Sequence, residues 1–389
     1  MRLTNITILL AALTLSACSS LTDLKADVSE RLFGRDSNEV PSELADIKPT
    51  AKATVLWSTH LGDSQDEDFT SVIDNGFIYA ASANGEIAKL AAADGKQAWR
   101  INAGEALSGG VGFGANQIYV GTAKGYVLAY DLTGKLLWKS KVSSQVLSAP
   151  KVDYNVVVVR CEDSRIYGLN SVDGARKWVY ERATPALSLR SSAGVALDGG
   201  AAYAGFAGGK VVAIRVEDGK TIWEVSVAQP KGTTEIERIA DITSLPVVDG
   251  PLVYAVAYQG KVAAIDRASG RVAWARDISS YTGLSAEDAK VFVTHANSAI
   301  YSLDYSTGKT FWRQGDLRQR RVTAPLPMGN LIAVGDVEGY IHLLNREDGA
   351  FAARLQTENS PIMPQMIALG ASTVIAQTRK GGIYAISIK

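Results

Sequence analysis

The chain has 389 residues, 47% of them hydrophobic, with 40 basic and 40 acidic side chains and a formal net charge of zero at pH 7. Without a basic excess it lacks the electrostatic footprint of a phosphate-driven nucleic-acid binder, so no nucleic-acid partner is expected. Thirty-six glycines against eleven prolines suit many tight turns better than disorder. Length alone would suggest two or three domains, but internal repeats have to be read before domains are counted.

Residues 1–17 read as a targeting segment. Arg2 supplies a basic start, residues 6–13 an apolar run too short to span a bilayer, and Leu15-Ser16-Ala17-Cys18 follows. This tetrad resembles the bacterial lipobox, which implies cleavage before Cys18 and acylation of that residue. Several acyl chains, at ~0.8 kcal/mol per buried CH₂, hold a protein stably at a membrane where one would not. Ser19 follows the cysteine where Asp would signal retention. By the same resemblance it implies the outer membrane of a Gram-negative bacterium, with the protein facing the periplasm. Residues 18–50 are polar and turn-rich, with Pro41 and Pro49, and read as a tether containing one short helix around 24–33.

From residue 51 onward a repeat of about forty residues takes over. Seven copies begin at Ile78, Ile118, Val157, Ala202, Val253, Val291 and Ile332. Each has an alternating β-branched or aromatic run, a Gly or small polar turn, a second run, and a D-G, S-G or T-G turn. A further strand follows, carrying Trp four residues after that glycine. Such turns between period-2 runs are the strongest short-range hairpin signal. Trp99, Trp138, Trp178, Trp223, Trp274 and Trp312 fill the final position, and Ala353 stands there in the seventh copy, with Phe351 as a candidate substitute. Six indoles at one repeat position indicate packing between neighbouring sheets rather than an aromatic binding cage. An eighth copy from Val374 stops before its last turn, while Trp57 has no hairpin before it. The two fragments complement each other. The reading is therefore all-β: an eight-bladed β-propeller of four-stranded antiparallel blades over 51–389, its last blade closed by the N-terminal strand, which removes the open edges.

The segment AIDRASGRVAW, with its sister copies, resembles the A-x-D-x-x-x-G-x-x-x-W tryptophan-docking repeat of the quinoprotein propellers, among them the pyrroloquinoline-quinone alcohol dehydrogenases. Those enzymes use a vicinal disulfide and a carboxylate–amide set around calcium. Here the only cysteines are Cys18 and Cys161, so no vicinal pair exists, and no equivalent acidic cluster is recognisable. Eight such blades on a lipid-anchored chain of this size resemble instead the propeller lipoproteins of the outer-membrane β-barrel assembly machinery. This resemblance implies a non-enzymatic scaffold with no cofactor and no metal, bound to the POTRA domains of BamA. It also implies contact with unfolded barrel proteins through exposed blade edges. ALSLR at 186–190 matches a family stretch that touches that partner, which gives the roles to Leu187, Leu189 and Arg190. RIADIT at 238–243 matches a second, in which Asp241 fits the first functional acid and Thr243 stands where the second is usually Asp.

Spacing points to the same region without reference to the family. From the repeat Trp to the next copy is 19 residues after Trp99 and Trp138, and 17 after Trp274. It is 24 after Trp178 and 30 after Trp223. Both long connections join an outer strand to the next inner one, so they are expected side by side on one face, where long loops on a rigid scaffold carry function. Asp63, Asp66, Glu67 and Asp68 read as a solvated acidic run, and Arg318, Arg320 and Arg321 as a plain basic surface loop. Gly110-Val111-Gly112-Phe113-Gly114-Ala115 mimics a dinucleotide fingerprint but precedes a strand, not a helix. Val211 after Lys210 breaks a P-loop pattern. His60, His295 and His342 lack metal-ligand spacing, and Cys161 reads as a small buried apolar residue. Two other classes remain open at this point, a quinone dehydrogenase and a glycan-binding envelope propeller.

Overall fold

The computed structural model describes residues 40–183, 185 and 187–389. The targeting segment, Cys18 and the expected helix at 24–33 lie outside the described residues. One compact unit runs from Ser42 to Lys389.

Within that unit the strands form eight four-stranded antiparallel sheets, the blades of a propeller. Blade 4 shows the plan: a short inner strand Ala196–Asp198, two middle strands Ala201–Phe206 and Lys210–Arg215, and an outer strand Thr221–Ser226. Middle strands are sandwiched between neighbouring blades, so they read as nearly unbroken runs of small and β-branched residues, such as the fully buried Val156–Arg160. Outer strands meet solvent on one side. In Thr221–Ser226 only Trp223 is buried, while Ile222 and Glu224 are exposed.

Blade 8 is assembled from both ends of the sequence. Ala53–His60 pairs antiparallel with Gly382–Ile388, in register from Ala53 opposite Ile388 to His60 opposite Gly382. The remaining strands of that sheet are Thr373–Gln377 and Ile367–Leu369. The split blade expected from the two sequence fragments is therefore the closure of the ring.

Each indole is seated in the following blade. The Nε1 atoms of Trp57, Trp99, Trp138, Trp178, Trp223, Trp274 and Trp312 donate to main-chain carbonyls there at 2.8–3.0 Å. The indole lies against the glycine of that blade's last turn. A Cβ on Gly270, at φ +74°, would sit 2.8 Å from the Trp223 ring. Glycine is needed here twice over, for the left-handed backbone and for the close approach. Seven docks serve eight seams, and the exception is explained by the closure. The split blade has no turn between its third and outer strands, because these, Gly382–Ile388 and Ala53–His60, come from separate stretches of the sequence. A tryptophan at 353 would find no glycine turn to dock on.

Ala353 is buried instead in the cluster on which Ala51 and Ala53 pack, and Thr50 N and Ala51 N donate to Ala352 O at 2.9 and 3.1 Å. Phe351 does not take the missing indole's place: it packs toward the opposite seam, on the cluster containing Trp312. The basic run is also corrected in part. Arg320 is 2% exposed, with Nε 2.7 Å from Asp336 Oδ2 and Nη2 paired with Glu338, and its Nη1 donates to Ser42 O at 2.7 Å. Fixed in this way, the stretch before the first strand runs along blade 7, where Arg354 Nη1 donates to Ala45 O at 3.1 Å.

Candidate functional site

Connections from an outer strand to the next inner strand all emerge on one face of the disc. Three of them matter here: residues 181–195 between blades 3 and 4, residues 227–246 between blades 4 and 5, and residues 61–71 between blades 8 and 1. The first two are the long connections picked out by repeat spacing, and they meet. Leu189 N donates to Asp241 Oδ2 at 2.7 Å, and Ser191 Oγ donates to Thr243 O at 3.3 Å.

Asp241 is the pivot of that contact. Its carboxylate, 4% exposed, accepts Leu189 N on one oxygen and Gly208 N at 3.0 Å on the other. Bonds from amides to a charged acceptor are the strong ones, and burial raises the cost of losing them. The carboxylate is thus turned inward, beneath the loop, rather than outward to a partner. Thr243 is half-buried, and its Oγ1 donates to Tyr281 O at 3.1 Å in the following connection. Leu187 is the outward member, 44% exposed, whereas Leu189 is half-buried above Asp241. Ala186 lies outside the described residues.

Arg190 is exposed at the rim and is met by the acidic run. Its Nη2 lies 2.9 Å from both Glu67 oxygens, and its Nε lies 3.7 Å from Glu162 Oε1. Ser192 Oγ donates to Asp68 Oδ2 at 2.7 Å. The acidic residues are therefore not simply solvated: two of them grip the loop that carries the candidate leucines. Beneath lies a cavity of 210 Å³ lined in part by Arg160, Glu162, Leu189, Arg190, Asp241 and Thr243. Burial, with Arg182 nearby, pulls the Arg160 guanidinium down to about 10, still charged at neutral pH, and its Nη1 donates to Ala193 O at 3.1 Å. Burial pushes the Cys161 thiol up to about 11, which leaves it protonated and poorly nucleophilic.

The sequence motifs set aside earlier fall into structural places. Gly110, Gly112 and Gly114 lie within the strand Leu107–Gly114. His342 is fully buried in blade 7, its Nε2 2.9 Å from Asp336 Oδ2 and its Nδ1 accepting from Arg354 Nε at 3.2 Å. Among the described residues, no group of three or more His, Cys, Asp or Glu side chains is placed to hold a metal ion. Glu67, Asp68 and Ser192 are the site residues that sequence reasoning did not join. The contact separates Glu67 and Arg190 by 123 residues, and no local pattern announces it.

Eight blades, seven of their seams locked by indoles on glycine turns, with a polar, loop-built patch on one face, define a tryptophan-docked propeller. That architecture is shared with quinohemoprotein alcohol dehydrogenase from Comamonas testosteroni, at TM-score 0.70 and 12% identity over 86% of this chain and 76% of that one, a likeness of fold alone. The model for "Outer membrane protein assembly factor BamB" matches residues 83–314 and 287–389. The assembly factor BamB of Nitrosomonas eutropha is 40% identical over 100% of this chain and 96% of its own length. The crystal structure of BamB from Moraxella catarrhalis superposes with TM-score 0.80 at 27% identity, covering 86% of this chain and all of that one. The chain belongs to the BamB family of outer-membrane protein assembly factors.

Proposed function

We propose that this protein is a non-catalytic scaffold of outer-membrane β-barrel assembly, held at the outer membrane by acylated Cys18 and facing the periplasm. It docks on the POTRA domains of BamA through the patch built by residues 187–192 and 241–243. The observation that carries this reading is the joining of the two long connections into one surface, with Leu187 left exposed at its crest. An exposed leucine set among charged side chains suits the apolar anchor and polar rim of a protein interface. Leu189 lends a half-buried apolar floor, Asp241 fixes the loop from below, and Arg190 and Thr243 border the anchor.

Relatives named as assembly factors over nearly their whole length support a non-enzymatic role. A chain whose cysteines are Cys18 and Cys161 also cannot form the vicinal disulfide of the quinone dehydrogenases. The test is capture of the POTRA domains by the full-length protein from detergent-solubilised membranes. Leu187→Glu, which places a charge on the anchor without touching a blade, is expected to abolish capture. Capture at the native level by this variant would remove the patch from the account. Retention of cell-wall glycan in place of BamA would instead favour an envelope-binding propeller.

A further inference from the structure

Asp66, Glu67 and Asp68 belong to the connection out of the split blade, yet they reach a loop between blades 3 and 4. The connection is held at its base by blade 8. Ser64 N and Ser64 Oγ donate to Arg379 O at 2.9 and 3.0 Å, and Arg379 Nη1 donates to Gln65 O at 2.7 Å. Beyond that base, Glu67 is 17% exposed and takes three bonds. Both of its oxygens accept from Arg190 Nη2 at 2.9 Å, and Gln145 Nε2, from the connection between blades 2 and 3, donates to Oε1 at 2.9 Å. Asp68 adds the Ser192 bond two residues further along the same loop. Glu67 and Asp68 therefore hold Arg190 and Ser192 from one side, while Asp241 holds Leu189 from beneath.

Among its described residues, the loop so gripped has no strand of its own between Tyr180 and Ala196. Its shape depends on these side-chain bonds, since it lacks a ladder to order it. Arg190 turns its guanidinium back onto its own chain, with Nη2 on Glu67, Glu162 near Nε and Asp66 O accepting from Nη1 at 3.4 Å. Although the Arg190 side chain is 46% exposed, its Nη2 is already taken by both oxygens of the partly buried Glu67.

We propose that Glu67 is a positioning residue of the docking patch. Through Arg190 it holds the turn at 187–192 in the shape that presents Leu187, so the split blade shapes a binding surface built between blades 3 and 5. This rests on the docking reading above, and its test separates the two. The experiment compares the full-length protein with Glu67→Gln, Arg190→Glu and the exchanged pair Glu67→Arg with Arg190→Glu. Binding to a purified POTRA fragment of BamA and amide hydrogen exchange over 187–193 are measured on each.

Expected for Glu67→Gln and for Arg190→Glu is about tenfold weaker binding together with faster exchange over 187–193, blade strands being unchanged. The exchanged pair rebuilds the bridge with reversed polarity and is expected to recover binding to within about threefold of native. If it restores slow exchange but binds no better than Arg190→Glu alone, Arg190 acts on the partner directly and the proposal is overturned. Native exchange and native binding in Glu67→Gln would overturn it as well. Should the native protein itself fail to bind the fragment, the docking reading falls, while the exchange data still decide whether Glu67 shapes the loop.

Discussion

Replacing Asp241 by alanine removes a buried acceptor from two amides, Leu189 N at 2.7 Å and Gly208 N at 3.0 Å. Hydrogen bonds to a charged group contribute about 1.5–3 kcal/mol each, so the pair contributes about 3–6 kcal/mol to keeping the loop closed. The loop lies on the disc face and can open to water without disturbing the blades, so the loss appears as local opening rather than global unfolding. At the lower end, about 3 kcal/mol corresponds to roughly a hundredfold faster amide exchange for the protected residues. Hydrogen exchange read by mass spectrometry over 187–192 and 206–210 measures it directly. Capture of BamA should fall in parallel, although the altered side chain never reaches the surface. If capture is lost while exchange over both segments stays native, Asp241 acts on the partner itself and the inward-facing account of this residue is wrong.

Two further outcomes follow from the blades. Trp223→Ala deletes a docked indole and its bond to Arg267 O, and a core aromatic truncation of this kind costs about 3–5 kcal/mol. Its chemical denaturation midpoint should drop accordingly, whereas Ala353→Gly, within a strand at the seam without a dock, should cost about 1 kcal/mol or less. His342 supplies a pH test. Burial, only partly offset by Asp336 and aided by Arg354 and Arg320, holds its imidazole below the usual histidine value, so the folded state favours the neutral ring. The unfolded chain binds the proton more readily, so this contribution is complete above about pH 6.5 and is lost as pH falls below it. Stability should decline from pH 7 to pH 5 in the native protein, and His342→Gln should flatten that slope; an unchanged slope would exclude His342 as its source.

The architecture was legible because the repeat writes it many times over. Turn glycines four residues before Trp fixed the hairpins, and two half-repeats at opposite ends fixed the closure between Ala53–His60 and Gly382–Ile388. The long connections after Trp178 and Trp223 located the patch, since loop length is visible in sequence. What lay hidden was every contact made across the ring by unrelated segments. Arg320 looked like one of three surface arginines, yet it is buried because Asp336 and Glu338, sixteen and eighteen residues on, converge with Ser42 around it. Ala353 looked like a lapse in the pattern, but the split blade it faces pairs two strands from separate stretches of the sequence and offers no glycine turn to dock on. Glu67 looked like one acid in a solvated run, and only the folded ring brings Arg190 to it. Asp241 was identified by resemblance, while its direction, inward rather than outward, depends on the amide of Leu189 in another connection.

The loop patch on this face, crested by Leu187, is where the proposed scaffold meets its partner. The most direct measurement is titration of a purified BamA POTRA fragment against the native protein and against Leu187→Glu, both checked for native thermal unfolding. Saturable binding is expected for the native protein and a loss of at least a hundredfold in the variant, with the melting curve unmoved. Equal binding by the two would place the interface elsewhere on the propeller.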